Sequence, residues 1–144
     1  MSEAGFALHP RLAADAAPVA DLALCRVLLM DDARWPWLIL VPRRAGMREL
    51  VDLSRADRLA LVDEIDCASR ALQALFSPDK LNVAALGNVV EQLHIHVIAR
   101  FRGDPAWPDP VWGFQPEQRR AVGQREMRIA ELRQALELPA AAGE

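Results

Sequence analysis

One short stretch alternates polar and apolar residues, and this alternation constrains the fold more than any other feature of the chain. It runs from Gln92 to Ile98 and reads QLHIHVI. Successive side chains of an extended strand point to opposite faces of a sheet. The apolar members of the stretch are therefore predicted to face a core: Leu93, Ile95 and Val97. The polar members form a row on the opposite face: Gln92, His94 and His96.

Two of the three histidines of the chain fall in this row. A polar strand face in an antiparallel sheet is often merely solvated, but imidazole is an uncommon choice for that purpose. A His-x-His pair on a strand also supplies two ligands for zinc or iron, although the remaining histidine, His9, is distant in sequence. We therefore interpret the row as a functional site and keep a metal-binding protein as an alternative.

Length and composition are those of one globular domain spanning residues 1–144. With 52% hydrophobic and 26% charged residues, the chain can bury a core and is not disordered throughout. The formal net charge of −3 argues against a nucleic-acid polymer as partner, because phosphate-backbone binding needs a basic face. Cys25 and Cys67 are expected to be free thiols, and no apolar run is long enough to span a membrane. We expect a cytoplasmic protein.

The apolar runs predict an α+β fold with one mostly antiparallel sheet of about five strands. Residues 22–30 and 37–41 bracket a turn-forming loop and predict a β-hairpin. Residues 81–86 and the histidine strand predict a second hairpin. Residues 1–20, rich in Ala and Pro, predict a short helix or an arm.

Two helices are predicted. The longer one runs from Arg55 to Phe76, with Ser54 as its N-cap and Ser77-Pro78 as its stop. It is expected to cover one face of the sheet. A C-terminal helix is predicted over about 115–138, with Pro116 in its first turn. The apolar stripe expected on the longer helix comprises Leu59, Val62, Ile65, Ala68, Leu72 and Leu75.

Residues 103–113 contain three prolines, which exclude a helix or a central strand. Trp107 and Trp112 lie in this segment. Two tryptophans in such a loop either wall a pocket or pin the loop to the body of the protein, and the sequence favours neither.

The run from Gln92 to Ile98 resembles the signature of the histidine triad (HIT) superfamily, in which three histidines alternate with apolar residues. Gln92 stands at the first histidine position, so the chain is similar to a bacterial branch that carries glutamine there. Gly87-Asn88 upstream and Arg100 downstream add to the resemblance, which covers about 22–113. It implies a HIT-like fold and a homodimer.

The resemblance also implies a nucleotide hydrolase or transferase that requires no cofactor. Its substrate would be a purine nucleotide attacked at the α-phosphate, such as an adenosine phosphoramidate or a diadenosine polyphosphate. By position, His94 is the nucleophile that forms a covalent nucleotidyl-histidine, and a main-chain carbonyl binds its other ring nitrogen. His96 contacts phosphate or helps to fix the site.

Two departures from the family pattern leave a second alternative, a nucleotide-binding relative with little turnover. The amide of Gln92 can donate a hydrogen bond but cannot shuttle a proton. Val89 falls where many relatives carry Ser or Thr.

Four further residues are candidates for substrate contacts. Asn88 falls where the family places a polar phosphate-binding side chain. Asn82 is either a polar contact at a strand end or only a turn cap. Asp31 or Asp32 resembles the residue that holds a ribose hydroxyl, although paired Asp residues in a loop are often only turn chemistry.

Overall fold

A computed structural model describes residues 4–114 and 116–137. The five strands form one antiparallel sheet in the order β1-β2-β3-β5-β4, which confirms the α+β fold. A 3₁₀ turn at Leu50–Asp52 precedes the long helix. The helices and strands are α1 Pro10–Asp15, β1 Ala16–Asp21, β2 Cys25–Met30, β3 Trp37–Pro42, α2 Arg55–Phe76, β4 Lys80–Ala84, β5 Ile95–Arg100 and α3 Val122–Glu137.

Strand β5 lies between β3 and β4, and its register positions the candidate site. His96 pairs with Ile39 of β3 and Ala84 of β4. The strand begins at Ile95, so it is shorter than the predicted histidine strand, and residues 92–94 precede it. The predicted alternation nevertheless holds on both sides of that boundary.

The two faces of the sheet are covered by different elements. Helices α2 and α3 pack on one face and build the first core with residues such as Leu72 and Leu132. The other face is covered by α1, the β2–β3 loop and residues 104–114, which build a second core around Trp35 and Trp37. The residues predicted to face inward lie in the first core: Leu93, Ile95 and Val97.

Helix α2 has the bounds that its sequence predicts. The Ser54 hydroxyl accepts a hydrogen bond from the Asp57 amide at 3.1 Å. Ser77 ends the helix in the left-handed conformation, with φ of 47°. Within residues 4–114 and 116–137, no helix is long and apolar enough to cross a membrane.

The predicted apolar stripe of α2 is wrong in part. Leu59 and Val62 are exposed at 54% and 62%. Glu64, which lies off the predicted stripe, is buried because its carboxylate accepts the amides of Leu24 and Cys25 at 2.8 and 2.7 Å. The helix therefore turns a partly polar face to the sheet and leaves apolar side chains outside.

The N-terminal segment contains more regular structure than its composition predicts. Helix α1 is followed directly by strand β1, in which Ala16 pairs with Met30 of β2. Strand β2 starts at Cys25 rather than at Leu22. The alanines of β1 form an edge strand because β2 pairs with it along its length, apart from a register shift between Pro18 and Ala20.

The C-terminal helix begins at Val122, several residues later than predicted. Residues 116–121 are instead tied to the β2–β3 loop. The Arg120 guanidinium donates to the main-chain oxygens of Met30 and Trp35 at 2.7 and 2.8 Å. These bonds hold the segment out of the helix; Gln115 and Leu138, at the predicted ends, lie outside the described residues.

Candidate active site

His94 combines a fixed ring with access to solvent. Its Nδ1 lies 2.6 Å from the main-chain oxygen of Gln92, and a carbonyl oxygen can only accept. Nδ1 must therefore carry the hydrogen, and Nε2 of the neutral ring keeps its lone pair. Only 5% of the residue is exposed, but it lines a cleft of about 100 Å³.

Burial lowers the pKa of His94 from its ordinary value of 6.5. The nearby imidazole of His9 also lowers this pKa, and the hydrogen bond with the Gln92 backbone partly opposes both effects. His94 is therefore neutral at pH 7, as a nucleophile must be.

His96 is held as a neutral ring by its neighbour on β3. The indole N–H of Trp37 donates to its Nδ1 at 2.9 Å, so the hydrogen of His96 lies on Nε2. Burial and the adjacent His94 lower the pKa of His96 to about 4, and a hydrogen bond with the Leu86 backbone only partly offsets them. In this arrangement His96 links β3 to the loop that follows β4.

Aromatic rings surround His96. The rings of Trp37 and Trp112 lie 5.6 and 5.1 Å from it, and the ring of His94 lies at 4.9 Å. Trp107 packs instead against the Arg100 guanidinium at 5.6 Å. Of the two roles open to the tryptophans, the structure shows the second: both pin their loop to the sheet.

Gly87 lets the loop after β4 approach His94. A Cβ atom at this position would lie 2.8 Å from the Val90 oxygen and 3.8 Å from Cε1 of His94. A contact of 2.8 Å to backbone is closer than packing allows. The absence of a side chain at residue 87 therefore sets the shape of the cleft beside His94.

Besides Gln92 and His94, three polar side chains line the cleft: Asn88, Arg48 and the carboxylate Glu49. Asn88 is exposed. Arg48 pairs with Glu91 at 2.9 Å, but both side chains are more than half exposed, at 63% and 66%. Such pairs contribute little, so Arg48 is free to turn to an anion. Sequence reasoning missed Arg48, although the basic run that begins at Arg43 was a usable indication.

Gln92 also lines the cleft, but its carboxamide is already occupied. Its Nε2 donates to the main-chain oxygen of Ala7 at 2.8 Å, and its Oε1 accepts the amide of His9 at 2.8 Å. Residues 6–9, called the N-terminal strap below, are thus fastened beside His94. Phe6 and Leu8 of the strap pack against the second core.

Asn82 belongs to a different cluster at the far end of β5. Its side-chain oxygen accepts from Arg100 at 2.8 Å. Arg100 also makes two bonds to Asp104, at 2.8 and 3.1 Å. Although burial raises it, the bonds from Arg100 and neighbouring amides hold the pKa of Asp104 at about 2. Asn82, Arg100 and Asp104 are called the Arg100 cluster below.

Asp31 and Asp32 are buried at the end of β2 and do not line the cleft. Asp31 accepts the amide of Arg120 at 3.0 Å and lies 3.4 Å from the Arg119 guanidinium. Asp32 pairs with Arg34 at 2.7 Å. The structure thus brings together Gln92, His94, His96 and Asn88 and engages Asn82, Asp31 and Asp32 elsewhere, so their contact with substrate stays a prediction.

The metal alternative needs a third ligand beside His94 and His96. Among the residues that the structure describes, no three His, Cys, Asp or Glu side chains are grouped so as to hold a metal ion. Nδ1 of His94 and Nδ1 of His96 are each already hydrogen-bonded.

Comparisons with known proteins identify the family of the chain. Residues 11–103 match the model of the HIT domain family. A histidine triad protein of Sinorhizobium meliloti 1021 is 41% identical, with a TM-score of 0.90 over 93% of this chain and 99% of that one. One from Bradyrhizobium japonicum is 45% identical, with a TM-score of 0.88 over 91% and 98%.

A histidine triad protein of Marinobacter aquaeolei VT8 is 49% identical, with a TM-score of 0.89 over 92% of this chain and 96% of that one. A comparison with curated proteins found no match. From the family match and these structures together, the chain belongs to the HIT family.

Proposed function

We propose that the protein cleaves a purine nucleotide at its α-phosphate through a covalent nucleotidyl-histidine on His94. One observation carries this proposal: the neutral ring of His94 is held through Nδ1, so that Nε2 is available beside the cleft. Adenosine phosphoramidates and diadenosine polyphosphates are the substrate classes that we infer from the family.

The reaction has two displacement steps. In the first, the Nε2 lone pair of His94 forms a bond to the α-phosphorus, and the bond to the amine or phosphate leaving group breaks. The leaving group departs with that electron pair and takes up a proton if it is an amine. In the second step water attacks the phosphorus, the P–Nε2 bond breaks, and water loses one proton. The nucleoside monophosphate leaves, and His94 is again neutral.

The rim residues are suited to stabilise this transfer. Phosphoryl transfer depends mainly on positioning and on donors around the phosphate oxygens. The Asn88 amide supplies such a donor, and Arg48 adds a positive charge. His96 acts by position, since Trp37 and the Leu86 backbone already bind its two nitrogens.

The intermediate is the direct test. The protein is mixed with an adenosine 5′-phosphoramidate, quenched in base, which preserves phosphoramidate bonds, and analysed by intact and peptide mass spectrometry. We expect an added adenylyl group on the peptide that contains His94, and none in a His94→Ala variant. Hydrolysis by His94→Ala at the wild-type rate would refute the assignment.

We also infer a homodimer that pairs the free edge of β4. Beside this edge, a groove of about 280 Å³ is lined by Leu61, Val62 and Val83, among others. Val62 and Val83 are exposed at 62% and 47%, and a second copy would cover both. An unpaired strand edge with apolar neighbours favours association.

Sedimentation velocity tests the dimer. We expect wild-type protein to sediment as a dimer and Val62→Asp to sediment as a monomer with the same far-UV spectrum. Arg70→Ala on the exposed side of α2 is the matched control. Sedimentation of the wild type as a monomer at high concentration would contradict the dimer.

A further inference from the structure

The residue at the first triad position connects two histidines. Gln92 binds His94 through its main-chain oxygen at 2.6 Å and binds the amide of His9 through its side-chain oxygen at 2.8 Å. A second bond, from Gln92 Nε2 to the Ala7 oxygen at 2.8 Å, fixes the strap on the same carboxamide. The glutamine at this position thus holds the backbone of His9 against a residue that lines the cleft.

The orientation of the His9 ring leaves one donor available. Its Nδ1 accepts the amide of Arg11 at 3.1 Å and caps helix α1. In the neutral ring the hydrogen therefore lies on Nε2. This N–H makes no hydrogen bond within residues 4–114 and 116–137. The ring is close enough to His94 for the charges of the two imidazoles to repel each other.

We propose that His9 is a further catalytic residue, whose Nε2–H donates a hydrogen bond to a phosphate oxygen while His94 attacks the phosphorus. The chain would then present three imidazoles at the site: His9 from the strap, His94 from just before β5, and His96 from β5. This inference rests on the function proposed above. It explains why the strap is fastened by a residue that also lines the cleft.

The competing explanation is that His9 has only a structural role in the strap. The two explanations can be separated because the N-cap function of His9 can be kept while its imidazole is removed. Ser and Thr are both good N-cap residues. His9→Ser and His9→Thr therefore remove the imidazole and keep both an acceptor for the Arg11 amide and the main-chain bond to Gln92. Arg11→Ala is the control, since it removes from the same segment an exposed charge that lies 3.6 Å from Asp15.

Steady-state kinetics with an adenosine 5′-phosphoramidate give the readout. A donor that acts in the transition state contributes on the order of 10²-fold to kcat. We expect both His9 variants to lose about that factor in kcat, with KM changed less than about threefold, while Arg11→Ala keeps both constants. Thermal midpoints equal to that of the wild type verify that the cap is preserved.

A double-mutant cycle checks that Gln92 acts through His9. Gln92→Leu should lower kcat strongly in the wild type but much less in His9→Ser, because the His9 donor that Gln92 positions is absent from that variant. Additive losses would overturn the proposed coupling. Wild-type kcat in both His9 variants would overturn the donor role and leave the proposed function intact, whereas a wild type that neither turns over nor labels His94 would refute the proposed function itself.

Discussion

Polar side chains lie at the C-terminal end of β5 and just before its N-terminal end, on the same face of the sheet, and their hydrogen bonding differs. Arg100 at the C-terminal end is 1% exposed, and Asp104, Asn82 and the Asp109 main-chain oxygen all accept from it. His94 near the other end has one ring nitrogen bound and the other available beside a cleft. Arg100 holds a loop in place, whereas His94 is able to react.

The difference shows that position on the strand does not decide the role of a polar residue. What decides the role is how many of the hydrogen-bonding atoms of that residue remain without a partner. The predictions below test this contrast by removing groups from each end.

His94→Ala removes the available nitrogen and should have the largest effect. We expect a loss on the order of 10⁴-fold or more in kcat, because the covalent route disappears. The urea midpoint should change little, since within the described residues the ring makes one hydrogen bond, to the Gln92 main-chain oxygen. Kinetics and unfolding measured on the same preparation check both expectations. A kcat within tenfold of the wild-type value would contradict the assignment of His94 as the nucleophile.

Arg100→Leu should have a large effect on stability and a small effect on kcat. The buried Asp104 carboxylate would lose its partner, and breaking a buried pair in this way costs roughly 3–5 kcal/mol of the free energy of unfolding. Urea unfolding measures the loss. Arg70→Ala, whose pair with Asp66 is exposed at 45% and 55%, is the control and should cost less than about 1 kcal/mol.

Asn88→Ala removes one donor from the rim of the cleft. We expect kcat to fall by about 10²-fold, the usual cost of a lost oxyanion donor. The adenylyl intermediate should still form on His94, only more slowly, and quenched-flow labelling would show this. An unchanged kcat would contradict the role of Asn88 as a donor to the phosphate.

The pH dependence of kcat/KM should follow His94. Its pKa lies below 6.5, and the neutral form is the active one. Activity should therefore be level from about pH 8 to 6.5 and fall tenfold per unit once the pH drops below the pKa of His94. A decline of kcat/KM that begins above pH 7 in the wild type would contradict the assignment of this pH dependence to His94.

Trp37→Phe should have the smallest effect, because it keeps an aromatic ring and removes only the bond to His96. The cost is about 1 kcal/mol for one buried hydrogen bond, and the pKa of His96 should rise from about 4 as its Nδ1 becomes available. Urea unfolding and NMR titration measure these changes. Trp35→Phe is the control, since the Trp35 N–H is buried without a hydrogen-bond partner in the described part of the chain.

Local signals allowed the sequence to predict some elements accurately. Ser54 and Ser77 bound α2 through interactions within a few residues, and the parity of Gln92 to Ile98 decides which side chains face the first core. Strand β1 and the late start of α3 could not be predicted, because both depend on partners far along the chain, Met30 for Ala16 and the β2–β3 loop for Arg120.

The same distinction holds at the site. The row of Gln92, His94 and His96 was evident from its spacing. The sequence did not show that Trp37 already binds a ring nitrogen of His96, or that the strap already binds the Gln92 carboxamide. These contacts join residues 59 and 83 positions apart. Sequence spacing locates a polar group but does not show which of its atoms are already bonded.

The strap also matters for how the protein is prepared. Two hydrogen bonds with Gln92 fasten residues 6–9, and a purification tag fused in front of the chain would begin within a few residues of those bonds. Material tagged at that end should turn over more slowly than material tagged after α3, although both are equally well folded. Rates compared between laboratories would then report the choice of expression vector as much as the choice of substrate.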